Sequence, residues 1–173
     1  MNSAPKGHMR ETLALAQDAL ARGELPIAAL VVLDGQVIAS ATTCEKAEQR
    51  FLVHAELLAL EQADRIRPFP GRRRDCQLYT NLEPCMMCLG AAMSFFCGEI
   101  YYALESPGDG AVALAQRWER VDPSFPEYRL PAITGGVLRE ESIRLFQQYV
   151  DQHEPGPAWA WAKSLADLGQ HGT

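Results

Sequence analysis

Two short motifs in this sequence carry residue types that can bind a metal ion. The first is His54-Ala55-Glu56, and the second, Pro84-Cys85-Met86-Met87-Cys88, begins 28 residues after Glu56. Imidazole nitrogen and thiolate sulfur are ligands that zinc prefers, and a catalytic zinc keeps its fourth position open for water. The histidine and the two cysteines would supply three ligands, and the carboxylate of Glu56 is not needed as a fourth. The combination predicts a hydrolytic zinc site rather than a closed structural one.

Glu56 has the chemistry of a proton carrier at such a site. Zinc lowers the pKa of a water molecule to about 7, and a neighbouring carboxylate can take its proton and return it to a leaving group. A lone His-x-Glu or Cys-x-x-Cys is a weak signal, but the pair, with Pro84 before the first cysteine, favours catalysis. A closed site would need one more ligand, and the other histidines lie outside any ligand motif. These are His8, His153 and His171.

Helices and strands must bring the two motifs together. Apolar spacing predicts helices over 11–21, 52–65, 85–96, 139–151 and 158–168. Short apolar runs predict strands over 27–33, 36–41, 76–80, 99–104 and 134–138. Asp34-Gly35 between the first two strands is a hairpin signal. His54 and Cys85 then lie near helix N-termini, where partial positive charge stabilises thiolates. Alternating strands and helices predict an α/β layered domain.

Composition and charge narrow the class of protein. A chain of 173 residues with 47% hydrophobic and 22% charged residues is typical of one globular domain. No apolar run reaches the ~20 residues that span a bilayer, and residues 1–10 lack the apolar segment of a signal peptide. We therefore expect a cytoplasmic protein without a membrane partner. Five cysteines, two of them in Cys-x-x-Cys, argue against a disulfide framework and predict that Cys44, Cys76 and Cys97 are reduced thiols.

The net negative charge of the chain indicates which class of partner the protein binds. The net charge is −6, whereas proteins that grip folded RNA usually carry a basic footprint, because phosphate neutralisation dominates their affinity. The charge therefore disfavours a nucleic-acid partner and favours a small-molecule substrate.

With its His-x-Glu and Pro-Cys-x-x-Cys motifs, the chain resembles the zinc-dependent cytidine/deoxycytidylate deaminase superfamily, especially the branch of tRNA adenosine deaminases and guanine deaminases. The resemblance covers roughly residues 11–150. It implies a three-layer α/β/α fold with a mixed central sheet of about five strands, zinc between two helix N-termini, and a homodimer as the default assembly. We expect residues 1–10 to form a tail, 11–151 the deaminase domain, and 152–173 a C-terminal tail with a short amphipathic segment.

The resemblance also implies a set of substrate contacts. The position of the family's substrate-binding asparagine is Thr43 here, and a family glycine is replaced by Ala28. Both replacements would change the pocket wall, and they argue against a standard guanine or tRNA-adenosine assignment. Ala55 and Pro84, next to the metal ligands, are further candidates for substrate contact. Phe51, just before the histidine helix, could stack on a base, although aromatic residues at element ends are more often part of the core.

Three other features have two interpretations each. Glu83 is either a carboxylate that organises the cysteine loop or a mere loop charge, and the resemblance favours the first. Trp159 and Trp161 either fold over the pocket mouth or a partner subunit, or dock on their own domain. The arginine-rich segment 65–74 either contacts a phosphate backbone or, as is usual in an acidic protein, is a solvated surface.

These observations predict a zinc-dependent hydrolase that releases ammonia from a free amino-substituted heterocycle: a nucleobase, nucleoside or analogue such as guanine or cytosine. The alternative enzyme is a tRNA adenosine deaminase that makes inosine, which the resemblance supports and the charge and Thr43 oppose. A third hypothesis is a non-catalytic, deaminase-like binding subunit. Such a subunit has no need of Glu56, which argues against it.

Overall fold

A mixed sheet organises the computed structural model, which describes residues 3–67, 73–119 and 121–170. The strands in these ranges are β1 (Ala28–Leu33), β2 (Gln36–Thr42), β3 (Gln77–Leu82), β4 (Glu99–Leu104) and β5 (Ala132–Thr134). Their order across the sheet is β2-β1-β3-β4-β5. β1 is antiparallel to β2 and β3, whereas β3, β4 and β5 are parallel. The mixed five-stranded sheet expected from the sequence is therefore confirmed.

Helices cover both faces of this sheet. They are α1 (Ser3–Ala21), α2 (Glu45–Glu48), α3 (Ala55–Ile66), α4 (Met86–Ser94), α5 (Val112–Ala115), α6 (Arg139–Gln152) and α7 (Pro157–Ala166), followed by a 3-10 turn over Asp167–Gln170. Met9 of α1 and Leu145 of α6 pack in one core with Leu30. Ala59 of α3 and Leu89 of α4 pack in the core on the other face. The three-layer α/β/α fold is confirmed.

The central strand β1 shows how the sequence dictates this layering. Its residues are almost all buried, because helices cover both of its faces. Side chains alternate along a strand, so Ala28 and Leu30 face the α1 and α6 layer, while Ala29 and Val31 face α3 and α4. The Asp34-Gly35 hairpin is confirmed as well, since both residues have positive φ, 51° and 75°, as a tight two-residue turn requires.

The two chain ends differ from their prediction as tails. α1 begins at Ser3 rather than at residue 11, and Met9 is fully buried against the sheet. Residues 3–10 are therefore helical and belong to the packed domain. At the other end, Leu165 of α7 is buried in a cluster with Phe146 of α6. The amphipathic segment expected over 158–168 thus docks on its own domain as α7.

The last strand and two short helices also differ from prediction. β5 covers Ala132–Thr134 instead of 134–138, because the chain passes closely over Tyr102 at Gly135 and turns at Gly136, which has a φ of 79°. α2 and α5 lie in segments without a predicted element. None of the helices in the described ranges is both long and apolar enough to cross a bilayer.

Candidate metal and active site

The predicted metal ligands meet where two helices begin. His54 is the residue before the first turn of α3, with an extended backbone (φ −69°, ψ 146°), and Cys85 holds the same place before α4 (φ −69°, ψ 173°). Both helices begin after these residues, and not at 52 and 85 as predicted. Cys88 follows within the first turn of α4 and is fully buried. The two positively polarised helix ends therefore face one point, as expected from the sequence.

The three ligand atoms form a triangle of the size that zinc requires. His54 Nδ1 lies 3.7 Å from Cys85 Sγ and 3.5 Å from Cys88 Sγ, and the two sulfurs are 3.6 Å apart. Tetrahedral zinc with Zn–S bonds of about 2.3 Å and Zn–N bonds of about 2.0–2.1 Å gives edges of about 3.8 Å between sulfurs and about 3.6 Å from sulfur to nitrogen. The donor set and its spacing fit zinc with a fourth position open.

The same contacts set the protonation of the ligands. The hydrogen bond from the Cys88 thiol is the largest cause that lowers the pKa of Cys85 to about 4, and His54 lowers it further. The hydrogen bond with Cys85 in turn raises the pKa of His54 to about 9. The bond to Cys85 and burial raise the pKa of Cys88. Cys85 is therefore held as a thiolate, the form in which cysteine binds a metal.

Glu56 lies beside this triangle and is almost fully buried. The Thr80 hydroxyl donates a hydrogen bond to its Oε1 at 3.2 Å, and the Cys88 thiol lies 3.5 Å from its Oε2. Burial raises the pKa of the Glu56 carboxyl. A buried carboxyl group whose pKa is raised can both accept and return a proton, as the role assigned to Glu56 requires.

Two acidic residues that the sequence motifs do not predict lie behind the histidine. Glu45, the first residue of α2, has its Oε1 3.4 Å from His54 Nε2. Glu24 is buried and accepts hydrogen bonds from the backbone N–H groups of Lys46 (3.1 Å) and Ala47 (2.7 Å), which caps α2. No local sequence signal identifies either residue, because the contacts join segments that are separate along the chain.

Glu83 organises the loop that faces Cys85. Its carboxylate accepts backbone hydrogen bonds from Ser106 and Val112, both at 3.0 Å. The backbone of Gly110 in this loop forms a β-bridge with Cys85. The carboxylate thus ties residues 106–112 to the start of α4. Glu83 therefore supports the cysteine loop and is not a free charge on it.

A cavity of about 380 Å³ opens in front of the metal ligands. Three of the predicted contact residues line it: Thr43, Phe51 and Ala55. Four carboxylate residues also line it, namely Glu45, Glu56, Glu83 and Asp109. Pro157, Ala158 and Trp161 of α7 complete one wall.

Two predicted contact residues lie elsewhere. Ala28 is fully buried on the sheet face opposite to α3, and its N–H donates to the side chain of Asn81 at 2.8 Å. Asn81 also donates to the carbonyl of Pro26 at 2.9 Å, so it fixes the start of β1, a structural role that sequence analysis missed. Pro84 is buried, and its carbonyl accepts the N–H of Ala111 at 3.1 Å. Neither Ala28 nor Pro84 is among the residues that line the cavity, and their role as substrate contacts stays a prediction.

Thr43 lines the cavity, but its hydroxyl already makes a hydrogen bond within the protein. Its side chain is buried, and its hydroxyl donates to the carbonyl of Val53 at 3.3 Å. This bond ties the end of β2 to the residue before His54. Only the remaining lone pairs of the Thr43 oxygen are available to a substrate.

The mouth of the cavity carries exposed apolar side chains. Phe51 is 88% exposed and Leu52 is 65% exposed, so Phe51 is not part of the core. A second groove of about 500 Å³ adjoins the cavity and shares four wall residues with it: Leu25, Glu45, Phe51 and Ala158. The cations Lys46 and Arg50 also line this groove, as does the carboxylate residue Glu24. The site is therefore open toward a surface that bears an aromatic ring and two cations.

The two C-terminal tryptophans differ in position. Trp161 stands edge-on to Phe146, with ring centroids 6.0 Å apart, and lines the cavity at the same time. Trp159 donates its indole N–H to the carbonyl of Val150 at 3.0 Å. Both therefore dock on their own domain, and Trp161 alone reaches the site.

Two described arginines of the arginine-rich segment, Arg73 and Arg74, are tied to the rest of the domain. Arg73 is 7% exposed, donates to Asp64 at 2.8 Å and lies over the ring of Phe95 at 5.4 Å. Arg74 donates to the carbonyl of Cys97 at 3.2 Å. These side chains attach the segment to the domain, and Arg72 lies outside the described residues.

In the part of the chain that the structure describes, the other histidines and cysteines do not form a second metal site. In the described part of the chain, the group of His54, Cys85 and Cys88 is the one cluster spaced for a metal ion. His8 packs near the ring of Tyr79, and His153 contacts the carbonyl of Tyr149, whereas His171 lies outside the described residues. All five cysteines are free of disulfides.

Comparison with known proteins places this geometry among deaminases. The family model of the cytidine and deoxycytidylate deaminase zinc-binding region matches residues 3–104. The chain is 31% identical over 150 residues to the tRNA-specific adenosine deaminase of Agrobacterium fabrum, which covers 84% of this chain and 94% of that protein. It is 36% identical over 146 residues to the tRNA(Ile)-lysidine synthase of Deinococcus radiodurans, covering 81% of this chain but 23% of that protein. The chain therefore spans about a quarter of this relative's length.

Solved structures give the same picture. A structure from a study of A-to-I editing by tRNA:A34 deaminases superposes with a TM-score of 0.67 at 29% identity, covering 80% of this chain and 99% of that one. A guanine deaminase from Nitrosomonas europaea superposes with a TM-score of 0.65 at 25% identity, covering 84% of each chain. These structures represent the two activities of the branch that the sequence resembles.

Proposed function

Because the family match covers more than half of the chain, the protein belongs to the family of zinc-binding cytidine and deoxycytidylate deaminases, and we propose that it converts adenosine to inosine in tRNA. The protein is a hydrolase that acts on the C–N bonds of cyclic amidines and uses zinc. The observation that carries the choice of substrate is the likeness to the Agrobacterium fabrum protein, which extends over nearly the full length of that tRNA-specific adenosine deaminase.

This proposal replaces the free heterocycle expected from the sequence. That expectation rested on the net charge of −6 and on Thr43 in place of an asparagine. Net charge is a sum over the whole chain, whereas an RNA contacts only the surface around the cavity. Thr43 gives its hydroxyl proton to Val53, so its substitution does not by itself select a free base. We therefore place RNA among the partners.

The surface around the cavity suits a nucleotide chain. An enzyme that acts on a base in RNA takes that base out of the stack and into a pocket, while the neighbouring nucleotides remain outside. Phe51 is exposed beside the cavity and offers a ring on which a neighbouring base can stack. Lys46 and Arg50 line the adjoining groove and offer charges for the phosphates.

The reaction follows from the placement of the groups. Water adds to the ring carbon that bears the amine, the C–N bond breaks, and ammonia leaves as the carbonyl forms. His54, Cys85 and Cys88 would hold the zinc ion, which would supply Lewis acidity for the activation of the water. Glu56 takes the proton from the water, delivers it to the ring nitrogen and then transfers a proton to the leaving amine. The Thr80 hydroxyl holds the Glu56 carboxylate in place for these transfers.

A free purine base such as guanine is the second candidate substrate. The observation that favours it is the lining of the cavity, where four carboxylates and no lysine or arginine occur among the described wall residues. Trp161 narrows the same cavity from the side of α7. Such walls accept a small ring rich in N–H groups, and the likeness to the Nitrosomonas europaea guanine deaminase agrees with this alternative.

A competition between substrates tests the proposal. Wild-type protein is incubated with a tRNA anticodon stem-loop that carries adenosine at the first anticodon position, and separately with guanine, cytosine and free adenosine. We expect inosine in the stem-loop, at a rate that falls steeply with salt, because RNA binding releases counterions. A stem-loop with guanosine at that position is the matched control and should release no ammonia. Ammonia from guanine without inosine in the stem-loop would overturn the proposal in favour of the second candidate.

A further inference from the structure

The imidazole of His54 is held between two groups. Its Nδ1 faces the sulfurs of Cys85 and Cys88 at 3.7 and 3.5 Å, and its Nε2, on the other side of the ring, is 3.4 Å from Oε1 of Glu45. The side chains of Glu45 and His54 are both partly shielded, at 28% and 29% exposure. A carboxylate therefore stands behind the ring, opposite to the metal position.

This placement bears on which ring nitrogen carries the proton. A neutral imidazole has one N–H and one free lone pair, and the lone pair must lie on the nitrogen that binds the metal. Nδ1 is the nitrogen that faces the two cysteine sulfurs, so the proton must reside on Nε2. A carboxylate beside Nε2 accepts this proton in a hydrogen bond, fixes the ring orientation and makes the opposite nitrogen a better ligand.

The position of Glu45 is itself supported by the fold. Buried Glu24 accepts the N–H groups of Lys46 and Ala47, which anchors the start of α2 where Glu45 lies. The N–H of Cys44, the residue before Glu45, donates to the carbonyl of Val53, the residue before His54, at 3.2 Å. The two partners are thus tied together by the backbone directly in front of each.

We propose that Glu45 is a positioning residue of the metal site, which accepts the Nε2 proton of His54 and so orients Nδ1 toward zinc. Glu24 supports this role indirectly, because its carboxylate accepts hydrogen bonds from the backbone of α2, the helix that carries Glu45. The inference concerns zinc binding and is independent of the substrate, so its failure is distinguishable from a failure of the tRNA proposal.

Zinc affinity measured by competition with a chromophoric chelator tests this role. Glu45→Ala should bind zinc roughly ten- to hundred-fold more weakly than wild type, the usual effect of removing such a partner. Glu45→Gln keeps the size of the side chain and a neutral acceptor, so its affinity should lie between those of Glu45→Ala and wild type. This graded loss is not expected if Glu45 only fills space.

Glu48→Ala is the matched control, since Glu48 belongs to the same short helix but pairs with Arg50 on the surface. Its zinc affinity should equal that of wild type. Unchanged affinity in Glu45→Ala, or the same loss in Glu45→Ala and Glu48→Ala, would overturn the proposal. If Glu45→Ala does not fold, Glu45→Gln decides: a loss supports the role, and wild-type affinity refutes it.

Discussion

Gly110 is the position where a single methyl group should disturb the metal site without touching a ligand. A Cβ built on Gly110 would lie 2.4 Å from the carboxyl carbon of Glu83 and 2.6 Å from the carbonyl oxygen of Ser106. Neither can remain in place at such distances. Gly110→Ala must therefore displace the Glu83 carboxylate or the loop that it holds, and this loop is bridged to Cys85.

The expected loss of stability follows from the hydrogen bonds that Gly110→Ala would disturb. Glu83 accepts two backbone hydrogen bonds, from Ser106 and Val112, and hydrogen bonds to charged groups each contribute about 1.5–3 kcal/mol. Loss of one bond and weakening of the other gives a destabilisation of about 2–4 kcal/mol. In a chain of this size each kcal/mol lowers the melting temperature by about 2–4 °C, so we expect a decrease of about 5–15 °C.

Thermal unfolding and zinc content, measured together, check this prediction. Gly108→Ala is the control in the same loop, because a Cβ there meets nothing within 4 Å. Gly110→Ala should lower both the melting temperature and the retained zinc, and Gly108→Ala should change neither. Equal melting temperatures and full zinc in the two variants would refute the role given to Glu83.

Three further predictions concern the surroundings of the site. The Arg139 guanidinium lowers the pKa of Glu105 from its ordinary value of 4.5, so the stability from this pair is present above pH 4.5 and is lost as the pH falls through the lower folded value. Glu105→Gln should cost about 1 kcal/mol at pH 7, because this partly exposed pair is screened by solvent. The difference between the variant and wild type in urea unfolding should disappear at acid pH. Trp161→Ala should raise KM by roughly tenfold with little change in kcat, since contact of a base with an aromatic ring contributes about 1–3 kcal/mol; an unchanged KM in steady-state kinetics would remove Trp161 from the substrate wall. Thr43→Asn should change the ratio of kcat/KM between stem-loop adenosine and free guanine, because an amide presents a different set of donors and acceptors; a uniform change for both substrates would contradict this.

The sequence predicted the chemistry of the site better than its surroundings. His54, Cys85, Cys88 and Glu56 were recognisable because zinc hydrolysis needs those residue types, and their spacing places them at two helix ends. Glu45 was not recognisable, because its role depends on a contact with His54 that only the folded chain creates.

Elements of the fold were likewise predictable where the local sequence determines them, and not where contacts in the folded chain do. The strand over Glu99–Leu104 was predicted with its bounds, since its apolar run is clear between turn residues. The start of α1 was missed, because Pro5 and Gly7 weaken the local helix signal, whereas burial of Met9 against the sheet stabilises the helix. Ala28 lies away from the cavity because strand alternation, set by the sheet register, turns it to the opposite face of the sheet. The homodimer stays a prediction, which light scattering of the purified protein can test.

Zinc content and inosine formation, measured in one set of preparations, test whether Glu56 carries protons at a zinc site with three protein ligands. Wild type and Glu56→Ala are compared with Glu61→Ala, which removes an exposed carboxylate from the same helix. Glu56→Ala should retain about one zinc per chain, as the three-ligand site requires, and lose roughly 10²- to 10⁴-fold in the rate on the anticodon stem-loop. Glu61→Ala should match wild type in both. If Glu56→Ala binds zinc and turns over substrate at the wild-type rate, Glu56 does not have the proton-transfer role assigned to it.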